Sequence, residues 1–261
     1  MTKPGNNLTE DVWEKVEINK QQYQDILFYG CITPFETLLI KFFRIVAPRT
    51  NEAELLKFED IDFDRNECIL YAKWIRPKAP SKATEEEKKE HENYVEDLIS
   101  KKLKKGELIK IKYRGSYELK KKPIYKQKQL AEFNDEVKKL LLDHKYEIGE
   151  GYVFRKTKSQ KFAITGKAML ETLHRVIKRT NKRLEKEGKI ERTIKHPGGF
   201  SEQFRLHDIG RHSLAKKIKK HPELLLPLAK KLRHSPDTLV KRYGKPSVSD
   251  YKEIYRKLEE E

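Results

Sequence analysis

Between Tyr23 and Val46 the apolar residues Tyr23, Ile26, Leu27, Cys31, Phe35, Leu38, Leu39, Phe42, Phe43 and Val46 recur at intervals of three and four. Residues so spaced share one side of an α-helix, so this stretch must bury a long apolar face. Gly30 and Pro34 interrupt the pattern, which predicts two helices in succession. The next apolar run has another character. CILYAKWI, residues 68–75, is dense in strand-forming side chains and follows a turn-rich stretch. Helical and strand signals in one short span predict an α+β domain, mainly helical with a small antiparallel β-sheet.

The remaining chain fits that class. VAPRTNEAELLKFEDIDFDRNE reads as a helix ending near Phe58 and then a turn. Residues 76–107 carry almost no apolar side chain before Tyr94 and read as an insertion made of a loop and a charged helix. ELIKIKYRGSYELKKKPIY alternates around a Gly-Ser turn and predicts further strand, arranged as a hairpin. Residues 130–145 and 165–187 are helical by period, the second with Thr165 as N-cap, and the last third is helical again. Residues 1–17 form a polar arm and residues 18–246 the domain proper. In the tail, residues 247–261, Ser247 and Asp250 resemble a capping box ahead of an apolar stripe at Tyr251, Ile254, Tyr255 and Leu258. A stripe so narrow fits a groove, on a neighbouring subunit or on its own domain.

Charge bounds the partner. With 58 lysines and arginines against 41 acidic residues the chain carries a formal +17, which favours a polyanion because neutralised phosphates release counterions. There is no apolar signal core and no run of roughly 18 uncharged apolar residues, so no membrane association is expected. Cys31 and Cys68 lie in apolar runs without paired-thiol spacing, which suits a reducing, cytoplasmic setting.

The chemistry-bearing residues lie in three stretches. FRLHDIGRHSLAKKI puts His207 and Arg211 at i and i+4, with His212 next. LRHSPDTLVKRYGK holds His234 and, nine residues on, Tyr243. Ser235 and Pro236 make a good helix start and Gly244 a good stop, so His234 and Tyr243 bracket a helix about 12 to 13 Å long. Upstream, Arg49 and Glu52 stand in APRTNEAELLKFEDID, and Lys73 ends the strand that follows.

Together these stretches resemble the tyrosine recombinase, or phage integrase, family. Its second box, His-x-x-Arg-His, then Leu-Gly-His-Ser and a nucleophilic tyrosine nine residues past the last histidine, is matched by His207, Arg211, His212, Leu232, His234, Ser235 and Tyr243. Its first box, Gly-Leu-Arg-x-Ser-Glu-Leu and a following Leu-x-Trp-x-Asp-Ile stretch, is matched at Arg49, Glu52, Leu56, Phe58, Asp60 and Ile61. The resemblance implies a DNA strand transferase acting on a specific double-stranded site, through a 3′-phosphotyrosyl link formed by Tyr243. Arg49, Arg211 and His234 would bind the phosphate, His207 would accept the phenol proton, and Lys73 would protonate the leaving oxygen, with Lys112 and Lys120 to Lys122 as rivals. It also implies a homo-oligomer, a tetramer on DNA, with no metal, nucleotide or other cofactor. A zinc site is the competing use of His207, His212, His221 and His234, but no cysteine or carboxylate completes a ligand spacing. Abundant Lys, Glu and Ile point to a thermophilic archaeal or viral source.

Two other readings use the same residues. A type IB topoisomerase would relax supercoils with this pocket as a monomer. A DNA-binding protein without catalysis would keep only the basic surface, against which the intact Arg49 and Glu52 argue. The chain departs from the family pattern in several places, among them the insertion at residues 76–107. Pro48 stands where leucine is usual, and Arg233 where glycine is. His-Asp-Ile-Gly-Arg replaces His-x-x-Arg, and on a regular helix that extra residue turns His207 about 100° from its place beside Arg211. Either a bulge at Gly210 absorbs it or His207 is displaced.

Overall fold

A computed structural model describes residues 18–73, 77–111, 124–196, 204–233 and 235–243. The polar arm, the Gly-Ser turn, residues 197–203 and the apolar stripe of the tail fall outside these residues.

The two helices expected from the first apolar pattern are present. Helix α1 (Lys20–Asp25) starts on an Asn19 capping box and runs into a single π turn, Ile26–Gly30. Helix α2 (Pro34–Ile45) follows, with the Thr33 hydroxyl accepting the Glu36 N–H at 3.2 Å and Pro34 at its first position. The turn must end in glycine. A Cβ at Gly30 would sit 2.3 Å from Thr180 Oγ1 and 2.7 Å from the Val176 carbonyl of the helix behind it.

Helix α2 is the centre of the molecule. Phe35, Leu38, Leu39, Phe42 and Phe43 are buried against helix α5 (Asp135–Ile148), helix α6 (Gly166–Lys186, capped by Thr165) and Phe154, whose ring meets Phe42 edge-on at 5.2 Å. At the far end of α5, Arg155 donates to the carbonyls of Ile148, Gly149, Glu150, Tyr152 and Gln160, so a buried cation closes that helix's negative end.

Four strands form one antiparallel sheet in the order β1–β2–β4–β3: β1 (Ile61–Asp62), β2 (Glu67–Lys73), β3 (Leu108–Ile111) and β4 (Ile124–Glu132). The two strands of the expected hairpin pair with each other, Leu108 opposite Gln127. Between β2 and β3 lies the charged helix α4 (Glu85–Lys104), started by a Thr84–Glu87 capping box and held by buried Val95 and Ile99.

Two boundaries differ from the sequence reading. The helix after Arg49 is one turn, α3 (Thr50–Ala53), and does not reach Phe58. Leu56 and Phe58 are instead engaged across the chain: Phe58 N–H donates to the Gly151 carbonyl at 2.9 Å and Val153 N–H to the Leu56 carbonyl at 3.0 Å. Residues 130–132 are strand, because Leu130 and Ala131 pair with Ile69 and Cys68; helix α5 begins only at the Asn134 cap.

The last third is helical: α7 (Leu206–Ile209), α8 (Arg211–Lys220), α9 (Leu225–Leu232) and α10 (Pro236–Tyr243). Leu206 and Ile209 of α7 join the main core, while helices α8, α9 and α10 share a second small core of Ala47, Ala215, Leu228, Ala229, Leu232 and Leu239. Ala47 directly precedes the Pro48-Arg49 pair, so this core docks α8, α9 and α10 beside Arg49. Among the described residues no helix is long and apolar enough to cross a membrane.

Candidate active site

Arg49 sits in extended backbone (φ −77°, ψ 151°) at the start of α3. Its N–H donates to Glu52 Oε2 at 2.7 Å and its Nη1 to Glu52 Oε1 at 2.6 Å. The Glu52 side chain is fully buried while that of Arg49 is 30% exposed, so the arginine is anchored at its base and open at its edge. Burial alone would raise the Glu52 carboxyl, but the Arg233 and Arg49 guanidinium groups outweigh it and hold the pKa below the usual carboxylate value.

Arg211 opens α8 and is 4% exposed. Its Nη1 donates to the Ala47 carbonyl at 2.8 Å and its Nη2 to the Leu232 carbonyl at 2.5 Å. Arg49 Nη2 reaches the next carbonyl, Arg233, at 3.5 Å. The two arginines, from opposite ends of the domain, are thus joined through residues 232–233, which come just before His234 in sequence. Arg233 enters the web itself: Nη2 donates to the Ala47 carbonyl at 2.9 Å and to Glu52 Oε2 at 3.1 Å.

Two residues in this web have left-handed backbone, Ala47 with φ 51° and Arg233 with φ 54°. In the family boxes both places belong to glycine, the residue that adopts this conformation freely. Their role was not legible in the sequence beyond the oddity of Arg233, because nothing local announces a positive φ at alanine or arginine.

The helix carrying the second box is broken at Gly210. Helix α7 ends at Ile209, Gly210 turns with φ −129° and ψ −59°, and α8 starts at Arg211. A Cβ there would lie 2.1 Å from the Phe43 carbonyl. The bulge thus replaces the continuous helix on which His207 and Arg211 would have been four apart.

His207 is mostly buried, and its Nε2 has no hydrogen-bond partner among the described residues. Burial first, then the charges of Arg211, His212 and Arg49, push its pKa down to about 4 against the opposing pull of Asp208. At neutral pH the ring is neutral. Its neighbour Asp208, buried and not singled out by sequence reading, takes the Arg205 N–H at 2.6 Å and His212 Nδ1 at 2.7 Å, which fixes the His212 ring 6.2 Å from that of His207. Its one-residue distance from His207 was the available signal.

Helix α10 starts as the sequence indicates, with the Ser235 hydroxyl accepting the Thr238 N–H at 3.2 Å ahead of Pro236, and buries Leu239 in the second core. Tyr243 is its last residue, and Lys73 is the last residue of β2, opposite Lys126. The side chains of Tyr243 and Lys73 lie outside the described residues, as do His234, Lys112 and Lys120 to Lys122 entirely. Of the six residues picked from sequence, Arg49, His207 and Arg211 are therefore seen together. Among the described residues no group of three His, Cys, Asp or Glu side chains forms a metal site.

No protein-family model matches this chain, and no curated protein matches it in sequence. Solved structures do match in fold. XerA recombinase is similar over 93% of this chain with a TM-score of 0.51 and 11% identity. The Tn1549 transposon integrase bound to transposon right end DNA is similar over 96% with a TM-score of 0.57 and 12% identity, and its complex with circular intermediate DNA over 94% with a TM-score of 0.55. The chain spans 64% of the length of the XerA chain and 68% of that of the integrase. A mainly helical domain, a four-stranded antiparallel sheet and these matches identify the fold as that of the tyrosine recombinase catalytic domain.

Proposed function

We propose that this chain is a site-specific DNA recombinase or integrase that breaks and rejoins strands through a 3′-phosphotyrosyl intermediate, with neither metal nor ATP. The observation that carries this reading is the convergence of Arg49 and Arg211 on residues 232–233, at the entrance to the helix that ends in Tyr243. The partner is double-stranded DNA carrying a specific site, as the +17 charge favours, and the working form on DNA is a homotetramer.

Each residue type suits its step. The Tyr243 phenol oxygen attacks the scissile phosphorus, a P–O bond to tyrosine forms, and the P–O5′ bond breaks. The phenol proton passes to His207, whose ring is neutral at pH 7 and has a free nitrogen. The departing O5′ takes a proton from Lys73. Arg49 offers a partly exposed planar fork to the non-bridging oxygens, Arg211 adds fixed charge from the pocket wall, and His234 contributes a further hydrogen bond. Charge building up on phosphorus is met by groups already oriented, where electrostatic stabilisation acts most strongly. The phosphotyrosyl bond conserves the energy needed for rejoining.

The test is a nicked suicide duplex containing the recombination site. Wild type should yield an SDS-resistant protein–DNA adduct and Tyr243→Phe none, with DNA binding retained. An equal adduct from Tyr243→Phe would sink the assignment. Site-independent relaxation of supercoiled plasmid would instead mark a topoisomerase, and binding without any adduct a protein devoid of catalysis.

A further inference from the structure

Arg233 occupies its place against two costs. Left-handed backbone disfavours an L-residue by about 1 kcal/mol, and burying a guanidinium costs several kcal/mol unless it is well paired. Yet the side chain is 4% exposed and turned into the arginine web, where Nη2 holds both the Ala47 carbonyl at 2.9 Å and Glu52 Oε2 at 3.1 Å. Its Nη1 caps the Lys231 carbonyl at 3.2 Å.

The consequence concerns the free edge of Arg49. A carboxylate and a guanidinium left to themselves close into a two-point fork. Here Glu52 Oε2 is taken by the Arg49 N–H and by Arg233, so the Arg49 guanidinium meets Glu52 through Oε1 alone, and Nη2 points toward the Arg233 carbonyl. We infer that Arg233 is a positioning residue that occupies Glu52 so that Arg49 keeps one edge of its fork for a DNA phosphate. This rests on the reading of Arg49 as a phosphate-binding group. A glycine at position 233 would fit the backbone and abolish the clamp, letting Glu52 draw Arg49 into a closed pair.

Arg233→Gly relieves the backbone strain, so its fold can be checked by thermal melting before anything else is read. On the suicide duplex, cleavage at saturating DNA should fall at least tenfold while the Kd for DNA changes less than about threefold. Glu52→Gln added to Arg233→Gly should recover at least about fivefold, because a neutral amide does not close an ionic fork on Arg49. A second readout needs no catalysis: phenylglyoxal labelling of Arg49, followed by mass spectrometry, should slow in Arg233→Gly and return in the double variant. Arg233→Lys, which keeps charge at this place, should fall between wild type and Arg233→Gly on both measures. Wild-type cleavage and labelling in Arg233→Gly would overturn the inference, as would a loss that Glu52→Gln deepens. An absent adduct in wild type defeats the recombinase reading, and the labelling pattern still decides the clamp.

Discussion

Arg211 donates to the carbonyl of Ala47 at 2.8 Å, which ties one arginine of the pocket to the residue two places before the other. The contrast in burial between the two arginines separates what each does: Arg49 has an open edge, and Arg211 is a wall of the pocket.

That contrast gives the first expectation. Arg49→Lys keeps a charge but loses the planar fork, and should lower suicide-substrate cleavage by about 10²- to 10³-fold with little change in urea unfolding midpoint. Arg211→Ala should lower cleavage as much and also cost about 2 to 3 kcal/mol of stability, because two buried carbonyls lose charged donors. Equal stability of the two variants in denaturant titration would contradict the assigned roles.

His207 gives a pH dependence whose sign is fixed. Its pKa falls from the usual 6.5 to about 4 in the folded protein, first by burial and then by the charges of Arg211, His212 and Arg49, against the opposing Asp208. The unfolded chain therefore takes up a proton that the folded chain refuses. The contribution to stability is complete above pH 6.5 and is lost as pH falls toward 4. Urea unfolding at pH 7, 5.5 and 4.5 should show wild type losing about 2 to 3 kcal/mol more than His207→Asn over that range. Parallel pH curves would refute a buried neutral imidazole.

Gly210 is a steric requirement rather than a conformational one, since its φ of −129° suits any residue. A methyl group would collide with the Phe43 carbonyl, a backbone atom in the last turn of α2. Gly210→Ala should cost at least about 2 kcal/mol and, by shifting α7 against α8, reduce cleavage more than DNA binding. Thermal melting and a filter-binding titration would measure both effects.

Salt should act on binding and spare the chemistry. If about six phosphates are neutralised by this basic chain, affinity for duplex DNA should fall about a thousandfold between 50 and 200 mM salt, and log Kd should rise linearly with log salt. Single-turnover cleavage of prebound suicide duplex should change little over the same range, because the Arg49–Glu52–Arg233 groups are screened far less than surface lysines. A flat binding curve would remove the electrostatic argument for nucleic acid.

Local signals were legible where local chemistry suffices. Thr165 and Ser235 cap the helices they were expected to cap, and the Gly30 and Pro34 breaks lie where the apolar period falters. The errors fell where distant partners overrode propensity. The stretch after Ala53 has helical residues but gives Leu56 and Phe58 to backbone partners nearly a hundred residues away.

What the sequence by itself determined is the list of cations, the order of elements and the short capped helix that ends in Tyr243, because periodicity and capping act over a few residues. The tertiary structure alone decided that Ala47 and Arg233 take left-handed backbone, that the chain breaks its helix at Gly210, and that the Arg233 side chain turns inward to Glu52 and the Ala47 carbonyl. Those outcomes depend on contacts such as Arg233 with Glu52, 181 positions apart. Only a packed core can hold an arginine against the strain and desolvation that such a contact requires.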